Sequence, residues 1–192
     1  MFPLRTVVGL VERGVNRVAR LVQREGDLVG TIDFPRVLQF GDGWSCGSRS
    51  VHAVCKHFGL DVSHDEIMEA LGTDSDGTAA SPIVRFFREQ GLRAGYHRRM
   101  RFPQLENALG RGAVVIVDLE GTHWSVLTAL SSDYAWLADP SLRRIGRRTS
   151  RARFRERWAR LGIIVSERRS RRGRHHRRSR VPTDRNPTSK GE

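Results

Sequence analysis

The amino-acid sequence predicts an α+β domain in which a helical N-terminal half packs on an antiparallel sheet. Apolar residues recur at helical spacing between positions 45 and 109, whereas apolar runs and alternating patterns typical of strands follow between 113 and 165. Helices and strands are therefore segregated along the chain, which favours an α+β domain over βαβ units. The 192 residues suffice for one such domain with appendages at its ends.

Two helices are marked by start and stop signals. The first begins at Cys46 and ends before Gly59, and apolar residues between them repeat at positions i, i+3, i+4 and i+7. Ser63 and Glu66 form a capping box for the second helix, and Gly72 marks its end. These signals place Cys46 at the start of a helix.

The remaining elements are predicted from apolar patterns. A third helix contains the apolar residues at 83–87, and a fourth spans 102–109. A turn is predicted at 131–133, and an amphipathic stretch precedes the last strand at 154–158. The predicted strands lie at 113–119, 123–130, 134–139 and 163–165.

Composition excludes several classes of protein. Two cysteines are too few for a disulfide-rich secreted scaffold or for a zinc site of four cysteines. No apolar run approaches the roughly 18–20 residues of a membrane span. No metal or cofactor site is predicted, because the histidines lack cysteine or carboxylate partners at ligand spacing. We therefore expect a soluble, cytoplasmic protein without a transmembrane segment.

The chain is strongly basic, with a formal net charge of +13, and much of the excess charge lies near its C-terminus. Residues 167–192 contain ten Arg or Lys against three acidic residues and almost no apolar ones, a composition typical of a disordered tail. Such a tail is suited to an anionic partner, either nucleic acid or a membrane surface. A solvated tail that only aids solubility is the alternative.

Residues 1–30 form a second appendage. Valines recur there at helical spacing, largely with arginines between them, which predicts a basic amphipathic helix. We expect its valine face to pack on the domain; binding to a membrane surface or to a partner is the alternative. The domain itself then spans 31–166.

Cys46 is a candidate nucleophile because it lies at the start of a helix, shortly after the glycine-containing loop 41–43. The unpaired amides and the dipole of a helix N-terminus lower the pKa of a thiol and provide N–H donors for an oxyanion. Cys55 lies in the apolar stripe of the same helix and is interpreted as an inert core thiol. A structural role for Cys46 is the alternative.

A nucleophilic cysteine needs a base, and the base needs an orienting acceptor. Among the seven histidines, only His123 begins a strand of the sheet half, and the following strand ends at Asp139. A hairpin with its turn centred near Ser131 would place His123 directly opposite Asp139. A histidine and a turn aspartate without a catalytic role are the alternative.

Gln39 is a third candidate residue, shortly before Cys46 in the sequence. A side-chain amide donor at such a position can complete an oxyanion hole together with the backbone N–H of the nucleophile. Most glutamines are surface residues, so this signal is weak by itself.

The order of these candidates resembles that of the papain-like cysteine peptidases that process the double-glycine leader peptides of bacteriocins. The matching positions are Gln39, Cys46-Gly47, His123 and the Ala-Asp-Pro at 138–140. The intervening sequence is also similar to that family, at 71–73, 76–78, 91–92, 123–126, Phe154 and Trp158, so that the resemblance covers nearly all of 34–166.

The resemblance implies a papain-like cysteine peptidase fold and assigns a role to each candidate. Cys46 would be the nucleophile and His123 the general base and acid. Asp139 would orient the imidazole, and Gln39 would donate to the oxyanion. The implied reaction on a peptide or protein substrate is attack on a peptide carbonyl, formation of a thioester and its hydrolysis.

Two differences from the family bear on function. Six residues separate Gln39 from Cys46, one more than in the family pattern, and the sequence contains neither membrane spans nor the phosphate loop of an ABC exporter. We therefore expect a free-standing relative. The alternatives are a catalytically weak or inactive domain that binds peptides, and a scaffold for the Arg-rich tail that binds an anionic partner.

Overall fold

The computed structural model describes residues 27–35, 37–141 and 147–168. The predicted N-terminal helix up to residue 26 and the tail from residue 169 onward lie outside the described residues. In chain order the elements are β1 Val29–Gly30, α1 Cys46–His57, α2 His64–Leu71, α3 Ala80–Glu89, β2 Arg93–His97, α4 Phe102–Gly110, β3 Val114–Leu119, β4 His123–Leu130, β5 Tyr134–Ala138, β6 Arg147–Ser150, α5 Arg151–Arg157 and β7 Trp158–Ser166.

Within these ranges the strands form one antiparallel sheet. Its order is β2-β7-β3-β4-β5-β6, and β1 pairs with the end of β4. Val29 and Gly30, which lie in the N-terminal segment of the sequence, form this short strand opposite Leu130 and Ala129. The four inner strands β7, β3, β4 and β5 are therefore each hydrogen-bonded on both sides.

Helices cover both faces of the sheet, so the apolar side chains form two cores. Val114 and Ile116 of β3 belong to the core shared with α1, α2 and α3, whereas Val115 and Val117 belong to the core shared with α4 and α5. A strand buried on both faces needs apolar residues at every position, which explains the continuous Val-Val-Ile-Val run. The predicted packing of helices on an antiparallel sheet is confirmed.

The helix boundaries follow the local signals. In α2, Ser63 Oγ accepts from the backbone N–H of Glu66, and the Glu66 carboxylate accepts from the backbone N–H of Ser63 at 2.8 Å. Gly72 ends this helix with φ of 59°, a left-handed conformation that glycine adopts without steric cost. No helix in the described ranges is long and apolar enough to cross a membrane.

Four elements differ from the sequence prediction. β2 and β6 were not predicted, and β1 lies at 29–30, where the N-terminal helix was predicted to end. α5 ends one residue before Trp158, which begins β7. Arg93–His97 carries arginine and glycine but no apolar run, and it becomes a strand because it pairs with β7, Ala94 lying opposite Val165. Such pairing joins segments about seventy residues apart and leaves no local pattern in the sequence.

The predicted register of the β4–β5 hairpin was wrong by two residues. Val126 lies opposite Ala138, so Asp139 continues toward position 125 rather than toward His123. The turn is closed by the backbone N–H of Ser131 donating to Tyr134, and the ladder is irregular between Leu127 and Ala129. A shift of two residues keeps the side chain on the same face, because the side-chain period of a strand is two.

Replacement of Phe87 by alanine tests how much the core shared with α1, α2 and α3 contributes to stability. Phe87 is fully buried on α3, so Phe87→Ala is expected to lower the free energy of unfolding by about 3–5 kcal/mol, because a large apolar side chain leaves a cavity. Urea unfolding followed by circular dichroism measures this change. Arg85→Ala on the same helix is the matched control, since the Arg85 side chain is 65% exposed and its loss should cost less than about 0.5 kcal/mol. Equal effects of the two substitutions would contradict the proposed packing.

Candidate active site

Cys46 is the first residue of α1 and is buried, with 5% of its surface exposed. The residue before it, Ser45, provides no side-chain cap for the helix. Asp42 acts instead: its Oδ1 accepts from the backbone N–H of Ser45 at 2.8 Å and from that of Trp44 at 3.3 Å. The carboxylate therefore fixes the turn that leads into the helix and holds Cys46 at its start.

His123 and Asp139 are brought together at the other side of the site. His123 begins β4, Asp139 follows the end of β5, and His123 Nε2 lies 2.9 Å from Asp139 Oδ1. The same carboxylate oxygen accepts from the backbone N–H of Ser141 at 2.9 Å and from its hydroxyl at 2.7 Å. Asp139 is thus held by Ser141, and it in turn restricts the orientation of the imidazole.

Contacts among Cys46, His123 and Asp139 shift the pKa of each group toward its charged form. Burial by itself raises the pKa of the Cys46 thiol, but a hydrogen bond with His123, the backbone N–H groups of Trp124 and Gly47 and the nearby imidazole together lower that pKa below its ordinary value of 9.0. The pKa of His123 is raised to about 9, because interactions with Asp139 and Cys46 outweigh its burial. The pKa of Asp139 is lowered by His123 and Ser141 despite burial. The arrangement favours a thiolate beside an imidazolium.

Cys55 has the opposite character. It is fully buried in the core on α1, and burial raises the pKa of its thiol to about 12. Both cysteines are free. The sequence-based interpretation of Cys55 as an inert core thiol agrees with these surroundings.

Gln39 lies close in sequence, but its side chain is engaged elsewhere. Its Nε2 donates to the backbone oxygen of Asp42 at 2.7 Å and to Asp42 Oδ1 at 2.9 Å. Its backbone N–H donates to Pro140 at 2.8 Å, which ties this loop to the segment that carries Asp139. The structure therefore brings Gln39 near the catalytic candidates while Asp42 binds the amide group.

A cleft of about 410 Å³ opens over Cys46. One wall consists of the end of β3, the start of β4 and the turn between them. The other wall consists of the loop at 75–80 and the residues that lead into α1. The lining residues are Gly43, Trp44, Cys46, Ser75, Asp76, Gly77, Thr78, Ala79, Ala80, Tyr96, Asp118, Gly121, Thr122, His123 and Trp124.

A close contact joins the two walls beneath the cleft. The indole N–H of Trp124 donates to the backbone oxygen of Thr78 at 2.8 Å. A Cβ atom placed on Gly47 would lie 2.5 Å from Thr78 Cβ and 3.1 Å from Trp124 Cδ1, so only glycine fits there. On α1, the hydroxyl of Ser50 donates to the backbone oxygen of Trp124 at 3.2 Å. These contacts set the spacing between the helix and β4.

The sequence prediction missed two acidic residues of this region. Asp42 carries a pKa of about 2, well below the ordinary carboxyl value, because Ser45, Gln39 and Trp44 donate to it and outweigh its burial. Its position between two glycines gave a weak signal of a turn. Asp118 lies at the end of the apolar strand β3 and lines the cleft. A charged residue in an otherwise apolar run was the signal for it.

No group of three or more histidine, cysteine, aspartate or glutamate side chains in the described ranges could hold a metal ion. The groups that the structure brings together at the cleft are the Cys46 thiol, the His123 imidazole and the Asp139 carboxylate. Together with helices packed on an antiparallel sheet, this set is typical of cysteine-type peptidases.

Comparisons with known proteins agree with that class. The model of the peptidase C39 family matches residues 35–170. The lactococcin-G-processing and transport ATP-binding protein LagD of Lactococcus lactis is 26% identical over 132 residues, which cover 68% of this chain and 18% of LagD. An uncharacterised protein of Methanothermobacter thermautotrophicus is 31% identical over 104 residues, which cover 53% of this chain and 69% of that protein.

Two solved structures show the same fold. A double glycine motif protease from an AMS/PCAT transporter, in complex with the leader peptide, has a TM-score of 0.62 at 20% identity, covering 72% of this chain and 96% of that one. The peptidase domain of Streptococcus ComA, a bifunctional ABC transporter involved in a quorum sensing pathway, has a TM-score of 0.62 at 23% identity. The match covers 71% of this chain and 100% of that one.

The chain belongs to the peptidase C39 family and has the papain-like fold. It is a cysteine-type peptidase by family, and the predicted resemblance to the bacteriocin-processing peptidases is confirmed. It spans only about 18% of the length of LagD, so the likeness concerns only a part of that protein.

Substitution of Gly47 tests the contact beneath the cleft. Gly47→Ala is expected to slow iodoacetamide alkylation of Cys46 at neutral pH at least severalfold, because the added Cβ must push Thr78 or Trp124 away and thereby change the distance between Cys46 and His123. Mass spectrometry of the Cys46 peptide measures the rate. Gly43→Ala is the matched control in the same cleft, since nothing lies within 4 Å of its Cβ position. If Gly47→Ala and Gly43→Ala react alike, the contact does not position the thiol.

Proposed function

We propose that this chain hydrolyses peptide bonds through a Cys46-His123-Asp139 triad. The observation that carries the proposal is the 2.9 Å contact between His123 Nε2 and Asp139, on an imidazole that also lowers the pKa of the Cys46 thiol. A nucleophile, a base and an orienting carboxylate are thereby connected in the order that acyl transfer requires.

The reaction begins with attack of the Cys46 thiolate on the carbonyl carbon of a peptide bond. The tetrahedral oxyanion that forms accepts hydrogen bonds from the backbone N–H of Cys46 and from the Gln39 amide. The His123 imidazolium gives its proton to the leaving amine, and a thioester remains. Water then attacks the thioester while the now neutral His123 takes one of its protons. The Cys46 sulfur leaves as a thiolate, the carboxylic acid product is released, and the thiolate–imidazolium pair is restored.

Gln39 takes part in this scheme only after a local rearrangement. Its Nε2 is held by Asp42 through two hydrogen bonds, and Gln39 is not among the residues that line the cleft. The amide must leave Asp42 to donate to an oxyanion. The six residues between Gln39 and Cys46, two of them glycines, give the loop the freedom to do so.

We further propose that the substrate is a peptide that lies in the cleft over Cys46. Among the similar proteins, LagD processes lactococcin G, and the AMS/PCAT protease is a double glycine motif protease bound to the leader peptide. Synthetic peptides with a double glycine are therefore the first to test, followed by a peptide library from a digested proteome. Cleavage products are identified by mass spectrometry, and Cys46→Ala is the control that must abolish cleavage.

A domain that binds peptides without turnover is the second candidate, and the engagement of the Gln39 amide by Asp42 favours it. In that case Cys46→Ala would bind peptides as the native chain does, and neither would cleave them. Rapid cleavage by the native chain, abolished in Cys46→Ala, would exclude this candidate.

The two appendages, at residues 1–26 and 169–192, lie outside the described part of the chain. We propose that the arginines of 167–192 bind an anionic partner, nucleic acid or a membrane surface, since ten basic residues occur there. A cytoplasmic location suits a nucleophilic thiol, which a reducing compartment keeps free.

Alkylation as a function of pH tests the thiolate. Cys46 is expected to react with iodoacetamide at pH values well below 9.0, because its pKa is lowered, whereas Cys55, with a pKa of about 12, should react slowly throughout. His123→Ala removes the imidazole and should shift the reactivity of Cys46 toward higher pH. The rate at each cysteine is read by mass spectrometry between pH 4 and about 10. An unchanged profile in His123→Ala would exclude the proposed pair.

The pH dependence of peptide cleavage should have two limbs. At low pH the rate falls as Cys46 becomes protonated, and at high pH it falls near the His123 pKa of about 9, because the leaving amine then lacks its proton donor. Initial rates of cleavage at substrate concentrations far below KM measure this profile. A rate that keeps rising above pH 10 would contradict His123 as the acid.

Substitution of Gln39 tests the oxyanion hole. Gln39→Ala is expected to lower kcat by about 10²–10³, the usual effect of losing one oxyanion donor, while alkylation of Cys46 by iodoacetamide, which forms no oxyanion, stays within about twofold. Gln90→Ala, an exposed glutamine at the end of α3, is the control. If kcat of Gln39→Ala stays within about twofold of the native value, the amide does not donate to the oxyanion.

A further inference from the structure

Asp118 is a buried carboxylate in the cleft that the proposed mechanism does not use. Only 7% of its surface is exposed, and it lines the cleft together with Cys46 and His123. Its Oδ1 is buried and has no hydrogen-bond partner within the part of the chain that the structure describes. A buried polar atom without a partner costs stability, so a donor supplied by a ligand would satisfy it.

The fold places this carboxylate at the site for a definite reason. Side chains of β3 alternate between the two cores, and Val114 and Ile116 face the core of α1. Asp118 is the next residue on that face, and it lies opposite Trp124 of β4. On this face of β3 the apolar side chains lie in the core, and the Asp118 carboxylate that follows them lines the cleft.

The charge environment of the cleft differs from that of the whole chain. The chain carries 34 Lys and Arg residues and a net charge of +13, but among the described residues none that lines this cleft is a lysine or an arginine. Asp76 is a second carboxylate there, on the opposite wall. Of these lining residues only His123 is cationic, and Asp139 and Cys46 offset its charge. A positively charged side chain entering the cleft therefore meets two carboxylates and no lysine or arginine of the described lining.

Burial raises the pKa of Asp118, and the backbone N–H groups of Gly121 and His123 act in the opposite direction. These two donors belong to the turn between β3 and β4, so a purely structural role for the carboxylate in that turn is the competing explanation. An asparagine would serve such a role nearly as well, since its side-chain oxygen accepts the same hydrogen bonds. The charge matters only toward a cation, which is either the His123 imidazolium, whose proximity also lowers the pKa of Asp118, or a cation brought by a ligand.

We propose that Asp118 binds a lysine or arginine side chain of the peptide substrate and thereby selects peptides with a basic residue near the scissile bond. The proposal rests on the proposed peptidase function, because it assumes that a peptide lies in this cleft. It makes Asp118 a specificity-determining residue. The ionic hydrogen bond would give the buried Oδ1 the partner that it lacks.

A matched pair of peptidyl chloromethyl ketones tests this selection. Each reagent alkylates Cys46 irreversibly and contains a single variable side chain, either ornithine or its neutral isostere norleucine, placed at the first or the second residue before the reactive glycine. Wild type is expected to react about 10–100 times faster with the ornithine reagent at one of these positions, as a charge-assisted hydrogen bond of about 1.5–3 kcal/mol implies. The second-order rate constant at Cys46 is measured by mass spectrometry.

Asp118→Asn should reduce the ratio of the two rate constants to about one. Using this ratio removes any general change in thiol reactivity. Glu120→Gln is the control: it removes a negative charge two residues away, on a side chain that is 57% exposed and lies outside the cleft lining, and it should keep the preference. A preference retained in Asp118→Asn, or absent from wild type at both positions, would overturn the proposal.

A second measurement separates failure of this proposal from failure of the peptidase function. Fluorescein-labelled heptapeptides that differ only in ornithine or norleucine are titrated with Cys46→Ala, which cannot react, and with Cys46→Ala/Asp118→Asn. If the ornithine peptide binds Cys46→Ala with a lower Kd than the norleucine peptide, and Cys46→Ala/Asp118→Asn binds both peptides equally, the role of Asp118 is supported even if wild type cleaves nothing. Equal binding of both peptides overturns it even if wild type proves to be a peptidase.

Discussion

The site depends on the close contact between the start of α1 and the start of β4. Gly47 has no side chain, and this allows Thr78 and Trp124 to approach the helix to a distance that a Cβ atom would block. The indole hydrogen bond to Thr78 and the hydroxyl bond of Ser50 to the backbone of β4 fix the same spacing. A thiol on the helix and an imidazole on the strand interact only because these two elements are held together.

Electrostatic interactions among Cys46, His123 and Asp139 stabilise the charges that are buried at this contact. A thiolate, an imidazolium and a carboxylate would each be costly alone in a partly buried site, but each lowers the free energy of the next. The pKa of Cys46 falls, that of His123 rises to about 9 and that of Asp139 falls, through contacts among the three groups and through donors from Trp124, Gly47 and Ser141. Cys55, on the same helix but without such neighbours, has a pKa of about 12. Position relative to a charged partner, rather than residue type, decides whether the pKa of each thiol is lowered or raised.

Two further carboxylates organise the surroundings of this group. Asp42 caps the approach to α1 and binds the Gln39 amide, so one residue both positions Cys46 and engages the proposed oxyanion donor. Asp118 lies in a wall of the cleft, and its Oδ1 has no partner among the described residues. Asp42 Oδ1 accepts three hydrogen bonds, which is why Asp42 is interpreted as a positioning group and Asp118 as a contact for substrate.

The sequence by itself determined what depends on neighbouring residues: the capping box of Ser63, the end of α2 at Gly72, the buried run of β3 and the position of Cys46 at a helix start. Only the tertiary structure decided what depends on distant segments, because pairing and packing leave little trace in local patterns. Thus β2 forms by pairing with β7, and Gln39 donates to Asp42. The β4–β5 ladder is shifted by two residues from the register that the sequence predicted. His123 and Asp139 could be nominated from their order in the chain, but their 2.9 Å contact exists because the hairpin turn and its irregular ladder bring a diagonal pair together on one face of the sheet.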